Sequence, residues 1–351
     1  MTIKRILLVF FILIFLLSVG FVVFFYKDLN TANTHQMSAE YIQIQRGSSP
    51  AEIISKLESQ GVIKRSWTTL LYLRLSGRSA KLKAGDYKFA SPITPLAVIS
   101  QLEKGEEKLN RMTIIEGWTR WEIADEMLKM QQFKLKNREE VFALMDDTSL
   151  IRDIDTQAKN LEGYIYPDTY SFPEDFTAQQ FIAMTVGRFR KEWKTEWIEQ
   201  ARSLNKTPRE IVTIASLIET EAKLNEERPI VSSVIYNRLR INMKLGIDSA
   251  IIYASKLAGK WKNDGKVYMS DINRDSPYNT RLYAGLPPGP IASSSANSLK
   301  AALFPAQTDY LYYVRNPDRN DGAHNFYNNA ADFEKGVKAL RDWERQRDAK
   351  K

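Results

Sequence analysis

The sequence predicts an α+β protein with a single membrane-spanning helix at its N-terminus. Three observations carry that expectation. Ile6 to Phe25 is a run of twenty residues without a charge. Short alternating segments, each ended by a glycine and followed by an amphipathic helix, occur twice, over 41–57 and 112–127. Helical periodicity then takes over from Phe181, interrupted by turn-rich stretches such as 163–170 and 285–290.

The apolar run comes first. At a rise of about 1.5 Å per residue it reaches roughly 30 Å, the thickness of a bilayer's hydrocarbon core. Lys4 and Arg5 precede it, so the positive-inside rule holds the N-terminus in the cytoplasm and sends the bulk of the chain across. A cleaved signal peptide would have a shorter apolar stretch and a small-x-small site; here Phe24, Phe25, Tyr26 and Lys27 follow, which favours an uncleaved anchor. Residues 1–27 are therefore expected to be cytoplasmic tip and anchor. Residues 28–39, polar and unpatterned, read as a tether in which His35 is solvated.

Tyr41–Leu57 then reads as strand, Gly47 turn, Ser cap with Pro50 in the first turn, and amphipathic helix. Met112–Met127 repeats the scheme around Gly117 and Thr119. Between them, Lys83–Phe89 is a turn leading into a strand, and Val98–Leu102 closes a helix before Lys104-Gly105. Two strand–Gly–helix pieces resemble small glycan-binding modules of the LysM type, so 40–155 is expected to be a LysM-like or positioning region. Residues 135–160 are charged and helical in tendency. The texture changes at the aromatic segment beginning with Glu162, which puts the main boundary near 155 and a second α+β domain over 156–345.

Composition narrows the chemistry. The 351 residues include 50 Lys+Arg, 42 Asp+Glu, two His and no Cys. Without Cys there is no disulfide framework, thiolate zinc site, thiol nucleophile or lipobox. His35 and His324 are far apart and outside any H-E-x-x-H pattern, so neither a metal site nor a cofactor is expected. The net charge of +8 suits anionic surroundings, but Lys4, Arg5 and Lys27 only flank the anchor. The remaining +5 over 324 residues is no nucleic-acid footprint. Catalysis would rest on carboxylates.

The carboxylates of interest lie on one helix. Thr207-Pro208-Arg209-Glu210 is a capping box with Pro at the first helical position, and Ile211, Ile214, Ala215, Ile218 and Ala222 form an apolar face. At about 100° per residue, Glu219 and Glu221 point about 160° apart and cannot form a close pair. Glu221 lies on the rim of the apolar face, where desolvation would raise its pKa and keep a proton available. Spacing alone favours the reading of both as ordinary flanking charges.

The text that follows is more specific. Ala215–Ala222, Val231–Leu239 with Asn237-Arg238, Leu245–Ser249 with Asp248, Ser276–Thr280, Gly285–Ile291, Tyr310–Val314 and His324-Asn-Phe326 come in close order. With Gly163–Tyr170 and Lys83–Tyr87, this series resembles the endolytic murein transglycosylase (YceG-like) family over most of the chain. The resemblance implies an enzyme of the bacterial inner membrane with its catalytic domain outside. It would cleave the β-1,4 bond between MurNAc and GlcNAc in nascent glycan strands and leave 1,6-anhydroMurNAc ends. It also implies that the second Glu of the Glu-x-Glu pair, Glu221, is catalytic. Arg281 stands where an aromatic is common, and Phe333 where a late His is often found.

An ordinary glycosidase needs two carboxylates, whereas a lytic transglycosylase uses the sugar's own C6 hydroxyl and needs one acid that becomes a base. Asp248 or Asp168 could still supply a second carboxylate, leaving a hydrolase open. Candidate substrate contacts are Glu219, Asn237, Asp248, Tyr278, Asn279 and His324. The two Asn could equally close turns, Tyr278 could equally be core, and His324 could be a satisfied structural residue. Expected partners are peptidoglycan glycan strands, the membrane and, as candidates, peptidoglycan synthases. A noncatalytic glycan-binding scaffold for such synthases is the rival reading.

Overall fold

The computed structural model describes residues 3–45, 47–105, 109–173 and 176–349, and side chains apart from those of residues 3–9 and 348. Lys4, Arg5 and the first four residues of the apolar run are thus described by backbone alone. Arg46, in the first expected turn, lies outside the described residues. The fold is α+β, as expected. The chain divides into two compact units, Met1–Asn110 with Ser171–Glu174, and Arg111–Tyr170 with Asp175–Lys351.

The first unit contains α1 (Ile3–Asn30), β1 (Ile42–Ile44), α2 (Pro50–Ser59), α3 (Ser66–Leu75), β2 (Gly85–Tyr87) and α4 (Pro95–Lys104). Over Phe10–Asn30, α1 is long and apolar enough to cross a membrane. Alternation in β1 turns Ile42 and Ile44 inward and Gln43 outward. β1 pairs antiparallel with β2, Ile42 opposite Tyr87. Ser49 and Glu52 close the capping box of α2, with Pro50 at its start, and α2 buries Ile53, Ile54 and Leu57. These join Leu73, Tyr87, Phe89, Val98, Ile99 and Leu102 in one core.

The stretch expected as a tether is instead built into this unit. α1 continues to Asn30, Leu29 is buried, and Asp28 accepts from Thr68 Oγ1 at 2.6 Å. Asn33 and Ile93 exchange backbone bonds of 2.8 and 3.0 Å. His35, expected to be solvated, donates from Nε2 to the Ala90 carbonyl at 2.9 Å and accepts the Met37 N–H on Nδ1. Polar composition concealed a segment whose polar groups are satisfied by the fold.

β3 (Leu109–Thr113) pairs with β4 (Thr169–Pro173). The second unit continues with α5 (Arg120–Leu128), α6 (Arg138–Met145), α7 (Ala178–Glu192), α8 (Thr195–Ser203) and α9 (Pro208–Glu221). It then runs through α10 (Arg228–Arg240), α11 (Asp248–Leu257), α12 (Met269–Ile272) and α13 (Ala296–Leu303). A hairpin of β5 (Tyr312–Arg315) and β6 (His324–Tyr327) precedes α14 (Ala330–Asp348).

The boundary expected near 155 falls at 110/111. Residues 111–155 belong to the second unit because α5 packs there: Trp121 meets the Tyr253 ring edge-on at 5.4 Å, and Lys256 pairs with Glu122. The change of texture at Glu162 marks a passage from charged helices to a buried turn within one unit. The two strand–Gly–helix pieces, 41–57 and 112–127, lie in different units.

α9 is the centre of the second unit. Its apolar face was expected on one side only, yet every residue from Ile211 to Ile218 is buried. Thr213 and Ser216 tolerate this because each donates back to the helix, to Arg209 O at 2.8 Å and Thr213 O at 2.7 Å. α13 covers α9 most extensively, with α10, α11 and α8 beside it. Gly163, at φ +81°, lets the 162–166 turn press on the 285–290 loop; a Cβ there would lie 2.4 Å from Pro290 and 3.0 Å from Val212.

Candidate active site

α9 ends at Glu221, and the chain turns away at Ala222. Tyr313 Oη donates to Glu221 Oε2 at 2.8 Å, and Ser249 Oγ approaches Oε1 at 3.4 Å. Ser249 also shares a 2.7 Å bond with Thr220 Oγ1, which ties the start of α11 to the last turn of α9. Burial pushes the Glu221 carboxyl above its ordinary value and the charge of Asp248 adds to this, while the bonds from Tyr313 and Ser249 and the nearby His324 pull downward. Burial and the Glu221 carboxyl raise the Tyr313 phenol, so it stays a donor.

The hairpin explains how Tyr313 arrives. Tyr313 stands opposite Phe326, and two residues back along β6 is His324 on the same face. The His324 ring lies 5.4 Å from Tyr313, edge-on. Glu227 holds His324 from behind, accepting its backbone N–H and Nδ1 at 2.8 Å each. With a carboxylate on Nδ1, that nitrogen carries the proton and Nε2 is left for other partners.

Asp248, the first residue of α11, is half exposed and pairs with Arg281 at 2.6 and 3.0 Å. Arg281, which stands where an aromatic is common, thus supplies the counter-charge beside the Glu221 site. Phe333, in the place of a late His, stacks on Tyr312 at 5.0 Å.

Glu219 leaves the helix on the other side. It accepts from Arg228 Nη1 at 2.7 Å, from Ser295 N at 2.8 Å and from Ser295 Oγ at 2.6 Å; both members of the ion pair are buried. Burial alone would raise this carboxyl, but the bonds from Arg228 and Ser295 outweigh it and hold it below its ordinary value. Glu219, expected as a substrate contact, forms a staple between α9, α10 and the start of α13.

Two further expected contacts are also occupied internally. Asn237 donates both amide hydrogens to backbone carbonyls, Thr308 at 2.9 Å and Tyr310 at 3.0 Å, and so fixes the approach to β5. Asn279 is fully buried, donates to Ile272 O and Arg274 O, and accepts from Arg281 N. Turn and anchor roles, the alternatives the sequence left open, are the ones these amides fill. Tyr278 packs 4.9 Å from Tyr253 and lines a cavity of about 240 Å³ with Glu162 and Arg209. Arg209 and Glu221 are twelve residues apart on α9, about 18 Å along its axis, so this cavity lies toward the other end of the helix. Asp168 pairs with Arg188 at 3.1 Å and bonds the Thr169 N–H, a turn residue.

The structure brings together Glu221, Asp248 and His324 from the expected set. It adds Tyr313, Ser249, Arg281 and Glu227, none of which spacing singled out. The alternation in Tyr310–Val314 was a signal for the strand, but nothing local tells which tyrosine meets a carboxyl 92 residues earlier.

Glu221 is thus a buried carboxyl bonded by two hydroxyls, at the end of the central helix of an α+β unit. The YceG-like family model matches residues 42–339, and the chain belongs to that family. A protein of Streptococcus pneumoniae (strain D39) called endolytic murein transglycosylase is 31% identical over 319 residues, covering 84% of this chain and 57% of its own length. One of the same name from Bacillus subtilis (strain 168) is 33% identical over 288 residues, 78% of each chain. This chain thus spans little more than half the length of the streptococcal relative. The crystal structure of a yceG-like protein from Listeria monocytogenes aligns with a TM-score of 0.57 at 31% identity, covering 84% of this chain and 98% of that one.

Proposed function

We propose that this chain is a membrane-anchored endolytic lytic transglycosylase of peptidoglycan, with Glu221 as its acid and then its base. The observation that carries the reading is the Glu221 site: burial raises the carboxyl above its ordinary value, its hydrogen-bond partners are hydroxyls, and the neighbouring carboxylates are engaged elsewhere. Glu219 faces Arg228, Asp248 faces Arg281, and Glu227 clasps His324. The names of the streptococcal and bacillar relatives support the same reaction.

In this reading the Glu221 carboxyl donates its proton to the oxygen between MurNAc and GlcNAc as the bond from MurNAc C1 breaks. The C6 hydroxyl of the same MurNAc attacks C1 and returns its proton to the Glu221 carboxylate. The products are a 1,6-anhydroMurNAc end and a GlcNAc with a free 4-hydroxyl, and the enzyme is restored. Tyr313 steadies the carboxylate between the two transfers. Asp248 and His324 Nε2 border the sugar. α1 spans the cytoplasmic membrane with the N-terminus inside, and both folded units act on nascent strands outside.

Product chemistry on nascent glycan tests this. Wild type should release anhydro-ended fragments and Glu221→Gln about 10³-fold fewer. Reducing MurNAc ends would mean that water is the nucleophile and the chain a hydrolase. Glycan binding without any cleavage by wild type would support the scaffold reading.

A further inference from the structure

The junction between α1 and the first unit carries an arrangement that the cleavage reaction does not use. Trp67, in the first turn of α3, is about half exposed, and its ring stacks on Phe24 at 6.1 Å and 9° and reaches Phe21 at 6.4 Å. Phe21 and Phe24 are themselves exposed and belong to the charge-free run of α1. The first unit thus places an indole beside the apolar part of α1, roughly one helical turn below Lys27. α1 is held in that relation by Asp28, which pairs with Arg65 and Thr68, and by the Asn33–Ile93 bridge.

Just above the indole lies a cavity of about 220 Å³ lined by Phe24, Lys27, Asp28, Thr31, Lys64 and Arg65. Asp28 offsets one of the three cations, so the cavity is net positive. Arg65 also lies over the Phe24 ring at 5.4 Å. From the bilayer outward the order is exposed aromatics, then an indole, then a basic cavity. That is the order of acyl chain, carbonyl and glycerol layer, and headgroup phosphate in a phospholipid leaflet.

We propose that the first unit is seated on the outer leaflet through Trp67, and that the Lys27–Lys64–Arg65 cavity binds the phosphate of an anionic phospholipid headgroup. This rests on the reading of α1 as a membrane span. Charge complementarity and continuity with the span select a lipid as occupant over a glycan or a second copy of the chain. The seat would fix the height of the first unit above the membrane.

The full chain, reconstituted in vesicles whose phosphatidylcholine is brominated near the glycerol end, tests the seat. Wild-type tryptophan fluorescence should be quenched more than that of Trp67→Phe, the difference being the Trp67 signal. Equal quenching, with α1 still resistant to carbonate extraction, overturns the inference and leaves the anchor standing; extraction of α1 by carbonate removes both. For the cavity, Lys27→Gln/Lys64→Gln should lose several-fold in preference for spin-labelled phosphatidylglycerol over phosphatidylcholine, with Trp67 quenching unchanged. Wild-type preference in that variant, displacement of the lipid by inorganic phosphate, or cross-links between Trp67→Cys chains in place of quenching would each count against it.

Discussion

Glu219 and Glu221 stand two residues apart on α9, and both are largely withdrawn from water, yet they end in opposite states. Glu219 meets a guanidinium and two further donors, the backbone N–H and hydroxyl of Ser295, so it is held ionised below its ordinary pKa. Glu221 meets two hydroxyls and the repulsion of Asp248, so burial dominates and its carboxyl is raised. Desolvation is common to both. The supply of positive charge separates them, and that depends on which side of the helix each residue faces.

The comparison can be broken most severely at Glu221. Glu221→Gln should keep the wild-type unfolding transition while cleavage falls by about 10³-fold, within the range for losing a general acid. Both are read from denaturant unfolding and release of anhydro-ended fragments. Glu219→Gln should do the reverse. It leaves Arg228 buried without its counter-charge, and loss of one partner of a buried pair costs about 3–5 kcal/mol. The unfolding midpoint should drop, while the pH profile of the remaining folded enzyme stays where it was.

Glu162 extends the rule to a third buried carboxyl. Its Oε2 accepts the Arg120 N–H at 3.0 Å, and burial pushes it up to about 7. The Arg120 bond, the Tyr253 phenol and the Arg120 charge pull it down, and Glu122 pushes it up. Between its unfolded value near 4.5 and about 7 the folded state holds the proton more tightly, so this group's contribution worsens as pH rises. Wild type should lose on the order of 2–3 kcal/mol between about pH 4.5 and 7 that Glu162→Gln does not lose. Parallel stability curves for the two proteins would refute this.

The smallest effects sharpen the Glu221 side. If the protonated carboxyl is the active form, activity falls as pH rises through its pKa. Tyr313→Phe removes a bond that lowers that pKa, so the basic limb of kcat should move to higher pH. Asp248→Asn removes a repulsion that raises it, so the limb should move to lower pH. Movement in the same direction by both variants would show that a different group titrates.

Local rules carried the sequence reading well where the determinants were local. The caps at Ser49, Thr119 and Thr207, the strand–Gly–helix pieces and the opposite facing of Glu219 and Glu221 follow from periods of 2 and 3.6 and from hydrogen bonds three residues apart. The burial of α9 on all sides did not, because Thr213 and Ser216 look polar until their back-bonds are known. Nor did the destination of residues 111–155, decided by Trp121 meeting Tyr253, 132 positions further along the chain. In the candidate site, spacing and motif order together singled out Glu221. Tyr313, Arg228 and Arg281 were not, since each reaches its carboxylate only after helices and hairpin have packed.

That α9 stops at Glu221, while α11 starts at Asp248, bears on more than position. Peptide dipoles leave a partial negative charge at the end of a helix and a partial positive one at its beginning, each worth about 0.3–1 kcal/mol to a nearby charge. The end of the central helix therefore disfavours a charge on Glu221 in the same direction as burial does. Helix polarity acts on this carboxyl before any side chain does, so an insertion that extended α9 by a turn would disturb it even with every side-chain contact restored.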